Sequence, residues 1–340
     1  MAREARARPT IYDVARAAGV STATVSRALN GTAQIAPATR SAIEHAVAEL
    51  GYRPNAIARS LVTKSTQTIA LMLPDITNPF YASLVRGIQQ VALTRGYTML
   101  LCTTEGDPSR EEQYLNLLRG SQVAGALVDG LVLPPERIAR IVEDGFPIVC
   151  LDRDINSPLV PVVQVDNRLG AQLATGHLLE LGHTVIAHVA GAPDLRISEE
   201  REAGYTETLA AAGVDVDDRL VAVGGFTEEG GYDATRALLA GMPGLSAIFA
   251  ANDLSALGAI NAIAATGRRV PDDVSVVGFD DLRLSTFMSP PLTTIHQPAH
   301  EIATRATEIL IDLTRGRTVR KLRYVFEPKL VVRASTSPRR

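Results

Sequence analysis

From Thr68 onward, short unbroken apolar runs alternate with longer stretches in which apolar residues recur every three or four positions. The runs TIALMLP, YTMLLCT, PIVCLD, VVQVD, TVIAHVAG, AIFAAN and VSVVGFD predict strands. The segments PFYASLVRGIQQVALTRG, REEQYLNLLRG, RLGAQLATGHLLELG, REAGYTETLAAAG and DLSALGAINAIAATG between them predict helices. Strands apolar on both faces and separated by helices imply parallel sheets covered on both sides. Roughly 270 residues of this α/β pattern suit two doubly wound lobes, with ligands outside the carboxyl ends of the strands. One lobe is expected at about 67–166 and 297–325, the other at about 167–292 and 326–340.

The first 52 residues carry a different, purely helical pattern. Thr10 with Asp13 three residues later reads as a capping-box variant, followed by DVARAAG with Val14, Ala15 and Ala18 on one face and a stop at Gly19. Ser21 caps a second helix, TATVSRALN, and the Gly-containing turn between the two predicts a helix-turn-helix. A third helix over residues 37–51 starts at Pro37 and stops at Gly51, with Ile43, Val47 and Leu50 as its inward stripe. In this geometry the second helix enters the major groove by its N-terminus, so Thr22 and Ala23 lie nearest the base edges. Arg27 stands one turn further on, able to grip a guanine bidentately. Thr24, Ser26 and Asn30 are short polar groups suited to phosphates.

Charge sharpens this division. Residues 1–65 hold nine Lys/Arg against four Asp/Glu, a balance of +5; the remaining 25 bases and 33 acids give −8, which sums to the chain's −3. A basic head on an acidic body points to a polyanion as the partner of the head alone. Between them RPNAIARSLVTKST (residues 53–66) has three cations, no acid and an apolar Leu61-Val62 pair.

TIYDVARAAGVSTATVSRALNG closely resembles the head of the lactose-repressor (LacI/GalR) family of bacterial transcription regulators. The match runs through RSAIEHAVAELGYRPNAIARSL and, more loosely, to about residue 333. It departs at Ile35-Ala36-Pro37, where the family has a Val-Ser pair; a hydroxyl cap is lost and Pro37 partly compensates. The resemblance implies operator contacts at Thr10, Tyr12, Ser21, Thr22, Ala23, Thr24, Ser26, Arg27 and Asn30. It also implies a hinge that turns helical in the minor groove when two subunits sit on the operator. There Asn55, Ala58 and Arg59 contact DNA and Leu61 wedges into the central base step. Apolar wedges that unstack a step and bend the duplex are a known use of such residues.

The polar residues at strand ends are the candidates for ligand contact: Asn78, Asp152, Arg153, Asp166, Asn167, Asn252, Asp253, Asp280, Asp281 and Gln297. A polyol needs carboxylates and amides to accept hydroxyl protons, an Arg to donate, and an aromatic face for its apolar side. Asn78 belongs to the expected set from its place after the first strand. By resemblance Phe80, Asp152, Arg153, Arg201, Phe226, Asn252, Asp280 and Gln297 line an inter-lobe cleft. Asp253 and Asp281 serve equally well as caps of the next helix. Ile197, four residues before Arg201, stands where several relatives have a hydroxyl, which speaks against contact there. Both VAGALV (residues 123–128) and VDGLVL (128–133) match a family strand. Spacing favours the first, which leaves Asp129-Gly130 in a loop.

No P-loop, G-x-G-x-x-G or G-x-S-x-G is present, and the six histidines lack metal-ligand spacing, so no cofactor and no metal are expected. The start MAREARARPT has no apolar segment behind it, so no secretory signal is expected. No unbroken apolar run reaches 18 residues, so no membrane span is expected. Cys102 and Cys150 each lie in an apolar run and read as buried free thiols of a cytoplasmic protein. Asp217-Asp218 and Asp272-Asp273 read as solvated loop acids. No leucine heptad follows residue 330, favouring a homodimer over a tail-joined tetramer. The expectation is a ligand-responsive repressor of carbohydrate genes that binds a near-palindromic operator. A sugar-binding protein of periplasmic type shares the body but not the head. An enzyme lacks any nucleophile or base constellation.

Overall fold

The computed structural model describes residues 9–30, 35–52, 67–120, 123–130, 132–153, 155–193 and 195–339. Residues up to 66 and from 67 on form separate compact units. The hinge candidates Asn55, Ala58, Arg59 and Leu61 lie outside the described residues.

The first unit has three helices, α1 (Ile11–Ala18), α2 (Thr22–Asn30) and α3 (Pro37–Leu50). The Asp13 carboxylate accepts from the Thr10 amide at 2.9 Å and the Thr10 hydroxyl at 2.7 Å, fixing the start of α1. Gly19 ends α1 at φ 63°, where a side chain would cost energy. The Ser21 hydroxyl accepts from Thr24 N at 3.1 Å and caps α2. Val14, Ala15, Val25, Ala28, Ile43 and Ala46 form the core. Here the expected stripe on α3 needs correction. Leu50 is 37 % exposed, and the third inward position is Ala46, because the helix period brings i, i+3 and i+4 to one face. Ala36 offers no side-chain cap, and α3 begins on Pro37 alone.

The second unit holds two six-stranded sheets. The first contains β1 (Thr68–Leu73), β2 (Thr98–Thr103), β3 (Gly125–Asp129), β4 (Ile148–Leu151), β5 (Val162–Val165) and β11 (Arg323–Phe326), in the order β11-β5-β4-β3-β1-β2. All its pairings are parallel. The second contains β6 (Ile186–Ala190), β7 (Val221–Val223), β8 (Ala247–Ala250), β9 (Ser275–Asp280), β10 (Thr293–His296) and β12 (Lys329–Val331), in the order β12-β10-β9-β8-β6-β7. It is parallel except for β12, an antiparallel edge on β10.

Helices cover both faces of each sheet: α4 (Pro79–Thr94), α5 (Pro108–Gly120), α6 (Pro135–Glu143), α7 (Asn167–Glu180), α8 (Arg196–Ala211), α9 (Glu228–Gly241), α10 (Asp253–Ala265) and α11 (Ala299–Thr314). This explains the unbroken apolar strands. In β1, Ile69, Leu71 and Leu73 pack with Leu84 and Ile88 of α4 and Leu310 of α11. Ala70 and Met72 pack instead with Leu115 of α5 and Ile138 of α6. Likewise β8 sends Ile248 and Ala250 toward Leu238 of α9 and Ile263 of α10. It sends Ala247 and Phe249 toward Leu178 of α7 and Leu209 of α8. The chain passes between sheets after β5, β10 and β11, and these crossings leave a cleft between the carboxyl ends of the strands.

The pattern of apolar runs does not single out β7, β11 and β12, which have only three or four residues and half-exposed side chains. Asp129 requires a further correction: it is the last residue of β3, paired in register with Leu151, and is 5 % exposed. Cys102 and Cys150 are buried free thiols.

Candidate functional site

Two surfaces collect the expected residues. On the head, α2 turns Val25 and Ala28 inward, which leaves Ser21, Ala23 and Arg27 exposed and Thr22, Thr24 and Ser26 half-buried around its N-terminal half. Ser21 and Thr24 share a hydroxyl–hydroxyl bond of 2.9 Å that fixes both oxygens on this face. Arg27 makes no ion pair among the described residues. Tyr12 on α1 is 69 % exposed, an unusual position for an aromatic without a partner surface. Thr10 precedes it at the helix start. The side chain of Asn30 lies outside the described set. Exposed donors and an apolar methyl gathered at the N-terminus of one helix are what a major-groove reader presents.

In the body a cleft of about 560 Å³ lies at the carboxyl ends of β1, β3, β4 and β9. Asn78, Phe80, Asp152, Arg201, Phe226, Asn252, Asp280 and Gln297 all line it; Arg153 does not. Arg153 lies close enough to act electrostatically on Glu111, a fully buried carboxylate that holds Val132 N and Leu133 N behind β3. Following Asp152 in sequence is not enough, because the backbone turns at Asp152 (φ 50°). Against expectation, Ile197 also lines the cleft, one turn before Arg201 on α8, and contributes apolar surface where a hydroxyl was looked for.

Arg201 is the centre of the site. It is 3 % exposed, donates from Nε to Asn167 Oδ1 at 2.9 Å and from a terminal nitrogen to Ala251 O at 2.5 Å. Its guanidinium carbon lies 3.7 Å from the Phe279 ring centre and 5.7 Å from that of Phe226. Phe226, at φ 64°, can lie there because Gly191 has no Cβ; one would fall 2.1 Å from its ring. Asn252 donates to Phe226 O at 3.0 Å and caps α10 by accepting from Ser255 N at 2.9 Å. Asn78 caps α4 in the same way, accepting from Phe80 N at 3.0 Å. These two amides are both caps and lining groups, so the capping and ligand readings coexist.

Three buried aspartates face Arg201. Burial pushes the Asp280 carboxyl up to about 8, against the pull of Arg201; Gln297 Nε2 donates to it at 2.6 Å. Burial likewise pushes Asp152 up to about 6, although its Oδ1 accepts from Val165 N at 3.1 Å. Burial first, and the neighbouring Asp152 second, hold Asp129 well above the ordinary carboxylate range. Four of the six non-glycine residues with positive φ among those described (Glu105, Asp152, Phe226 and Asp280) line this cleft. Strain of that kind gathers where backbone geometry serves a site.

Other strand-end acids have structural work. Asp253 accepts from Leu282 N at 2.8 Å, from Thr294 Oγ1 at 2.5 Å and from Ser285 Oγ. Asp281 pairs with Arg333 at 2.5 Å and His296 at 2.9 Å. Asp166 caps α7 through Leu169 N, and Asp217 and Asp273 pair with Arg219 and Arg269. No cluster able to hold a metal occurs among the described residues. Asp75, Thr77, Tyr81, Glu105, Asp129 and Thr227 line the cleft without having been singled out. Thr227 offered a signal, a hydroxyl immediately before Glu228-Glu229; its Oγ accepts from Gly230 N at 3.0 Å and caps α9.

A helix-turn-helix unit followed by a two-sheet body with an inter-lobe polar cleft defines a DNA-binding protein with a ligand-binding body of periplasmic type. Residues 10–55 match the model of bacterial regulatory proteins of the lacI family, and residues 175–336 that of a periplasmic binding protein-like domain. The chain is 40 % identical over 344 residues to the HTH-type transcriptional regulator CelR of Thermobifida fusca, covering 98 % of this chain and 99 % of that protein. It superposes on the structure of a CelR–cellobiose complex with a TM-score of 0.74 and 38 % identity, over 96 % of this chain and all of that one. The lac repressor dimer bound to operator and the anti-inducer ONPF gives a TM-score of 0.87 and 28 % identity, over 97 % of this chain and 100 % of that one. The chain belongs to the lacI family of bacterial regulatory proteins.

Proposed function

We propose that this chain is a cytoplasmic, non-enzymatic repressor of carbohydrate-utilisation genes that binds a near-palindromic operator as a homodimer and is modulated by a neutral sugar or sugar derivative. Residues 1–52 act as the DNA-binding head, 53–66 as the hinge and 67–340 as the effector-binding and dimerisation body. Ser21, Thr22, Ala23 and Arg27 read bases; Thr10, Tyr12, Thr24, Ser26 and Asn30 hold phosphates. Asn55, Ala58, Arg59 and Leu61 act at the operator centre.

The observation that carries the effector class is the lining of the cleft. Phe80, Phe226, Leu195 and Ile197 supply apolar surface for a ring face, and Asn78, Asp152, Asn252, Asp280 and Gln297 supply acceptors and amides for hydroxyls. Arg201 is its one cation among the described residues and already donates to Asn167 Oδ1 and Ala251 O, while Asp75, Glu105 and Asp152 bring negative charge. Such a balance disfavours phosphorylated or carboxylated ligands, whose charge needs more donors than one Arg. No helix of the described residues is long and apolar enough to cross a membrane.

Thermal-shift screening of the full chain against neutral mono- and disaccharides tests the class, because a ligand that binds only the native state raises its melting point. At least one neutral sugar should raise the midpoint while its phosphate ester does not. A shift by sugar phosphates alone would overturn the proposal.

A further inference from the structure

The cleft contains a carboxyl group whose arrangement the sugar reading does not use. Asp129 ends β3 and Asp152 follows β4, and these strands are hydrogen-bonded neighbours with Asp129 in register with Leu151. Their side chains therefore emerge one residue apart on adjacent strand ends, both lining the cleft and both at least nine-tenths buried. Asp152 spends one oxygen on Val165 N. Asp129 Oδ2 is buried without a hydrogen-bond partner among the described residues. Two buried carboxylates this close repel, and the inexpensive arrangement is one proton held between them. The groups facing the pair are Arg201 and Glu200 on α8, Tyr81 on α4 and Asp280 on β9, with Asp75 and Glu105 at the rim. Arg201, already committed to Asn167 Oδ1 and Ala251 O, can balance one negative charge but not three.

We propose that Asp129 is a specificity-determining residue of the cleft that works as the protonated member of a pair with Asp152. The pair presents one O–H donor and one carboxylate acceptor side by side to a vicinal diol of the effector. One ligand oxygen accepts from Asp129, and the neighbouring hydroxyl donates to Asp152. This rests on the sugar reading of the cleft for the ligand, but the protonation of Asp129 is a property of the empty protein. Burial raises both carboxyls; at Asp129 the Asp152 charge adds to it and outweighs the Gly130 amide that Asp129 accepts from, which favours the same assignment. An asparagine amide reproduces a protonated aspartic acid, donor and acceptor together, whereas it is a poor substitute for an ionised one.

The test has two arms on the full chain. In the first, infrared difference spectra of the ligand-free protein at neutral pH compare wild type with Asp129→Asn. The wild type should show protonated-carboxyl intensity beyond the Asp280 band that remains in the variant, as a positive wild-type-minus-variant difference. Superimposable spectra in that region overturn the proposal whatever the ligand. In the second, calorimetry with cellobiose compares wild type, Asp129→Asn and Asp129→Ala, each checked for an intact melting transition. The alanine variant should lose about 30-fold in affinity, and the asparagine variant should recover at least about 10-fold of it, the scale of one buried hydrogen-bonding partner. As pH rises, wild-type binding should weaken more than binding to Asp129→Asn, in which only Asp280 and the other cleft carboxyls still titrate. An asparagine variant as weak as the alanine variant would show that Asp129 acts as an anion. Absence of heat with cellobiose in the wild type would count against a cellobiose-like effector, and the infrared arm would still decide the pair.

Discussion

Replacing Arg201 by Ala should unfold more than a binding contact. In the folded body the guanidinium satisfies Asn167 Oδ1 and Ala251 O and lies against the Phe279 ring at 3.7 Å. Hydrogen bonds from a charged donor contribute about 1.5–3 kcal/mol each, and a desolvated cation–π contact about 2 kcal/mol. Against this stands the cost of burying the cation, which depresses its own affinity for a proton. Removing one partner of a buried charge network typically costs about 3–5 kcal/mol, because the remaining acceptors and carboxylates are left uncompensated. For a body of this size that corresponds to a drop of roughly 5–10 °C in melting temperature. Urea denaturation of the full chain, followed by circular dichroism, reads it directly. Arg201→Lys should recover only part of the loss, since an ammonium lacks the planar fork and the stack. A loss below about 1 kcal/mol in Arg201→Ala would refute the reasoning and leave Arg201 a ligand contact alone.

Arg27→Ala should cost about 1–3 kcal/mol of operator affinity and relax discrimination at one base pair per half-site; equal loss on random DNA would make Arg27 a phosphate contact. Leu61→Ala should weaken operator binding and reduce DNA bending, measured by gel shift, with an unchanged melting temperature; the reverse outcome would place Leu61 in a core. Asp280 holds its proton up to about pH 8 in the fold, whereas an unfolded aspartate releases it near pH 4. Its contribution to stability is thus fully present below about pH 4 and lost as pH rises toward 8. Asp280→Asn should therefore stabilise the body at pH 8, with little gain at pH 4, while blunting the sugar response. A destabilised variant at pH 8 would show that the ionised form is the one the fold holds. Asp253→Ala leaves Leu282 N, Ser285 Oγ and Thr294 Oγ1 without their acceptor and should cost about 3 kcal/mol or more by denaturant titration.

The paired sheets were legible because burial on two faces demands unbroken apolar strands: β1 and β8 divide their side chains between helix layers on either side. Short edge strands such as β7 and β12 bury little and leave no such trace. Cleft residues at strand ends were legible where the polar residue directly follows an apolar run, as at Asp152 and Asp280. Arg153 failed because adjacency in sequence does not survive a left-handed turn at Asp152. Asp129 was missed because two overlapping V-x-G runs admit two strand registers, and a small offset decides whether the carboxyl ends the strand or sits in a loop. At Ile197, lack of a hydroxyl argued against contact, but a cleft for a sugar ring also needs apolar surface. Leu50 on α3 was misplaced because Ala46 is small enough to escape a count of large apolar residues, yet it is buried in the core with Ile43.

The central claim is that one cleft ligand changes the affinity of the head for a palindrome. It is tested most directly by fluorescence anisotropy of the full chain on a palindromic operator selected from random DNA, at one fixed salt concentration. Each isotherm is recorded without sugar and with a saturating neutral sugar that raises the melting point. The account predicts a change in operator affinity of about 5–150-fold, the range of ordinary allosteric coupling, with scrambled DNA affected far less. Operator binding that is identical with and without every stabilising sugar, or no preference for the palindrome over scrambled DNA, would contradict it.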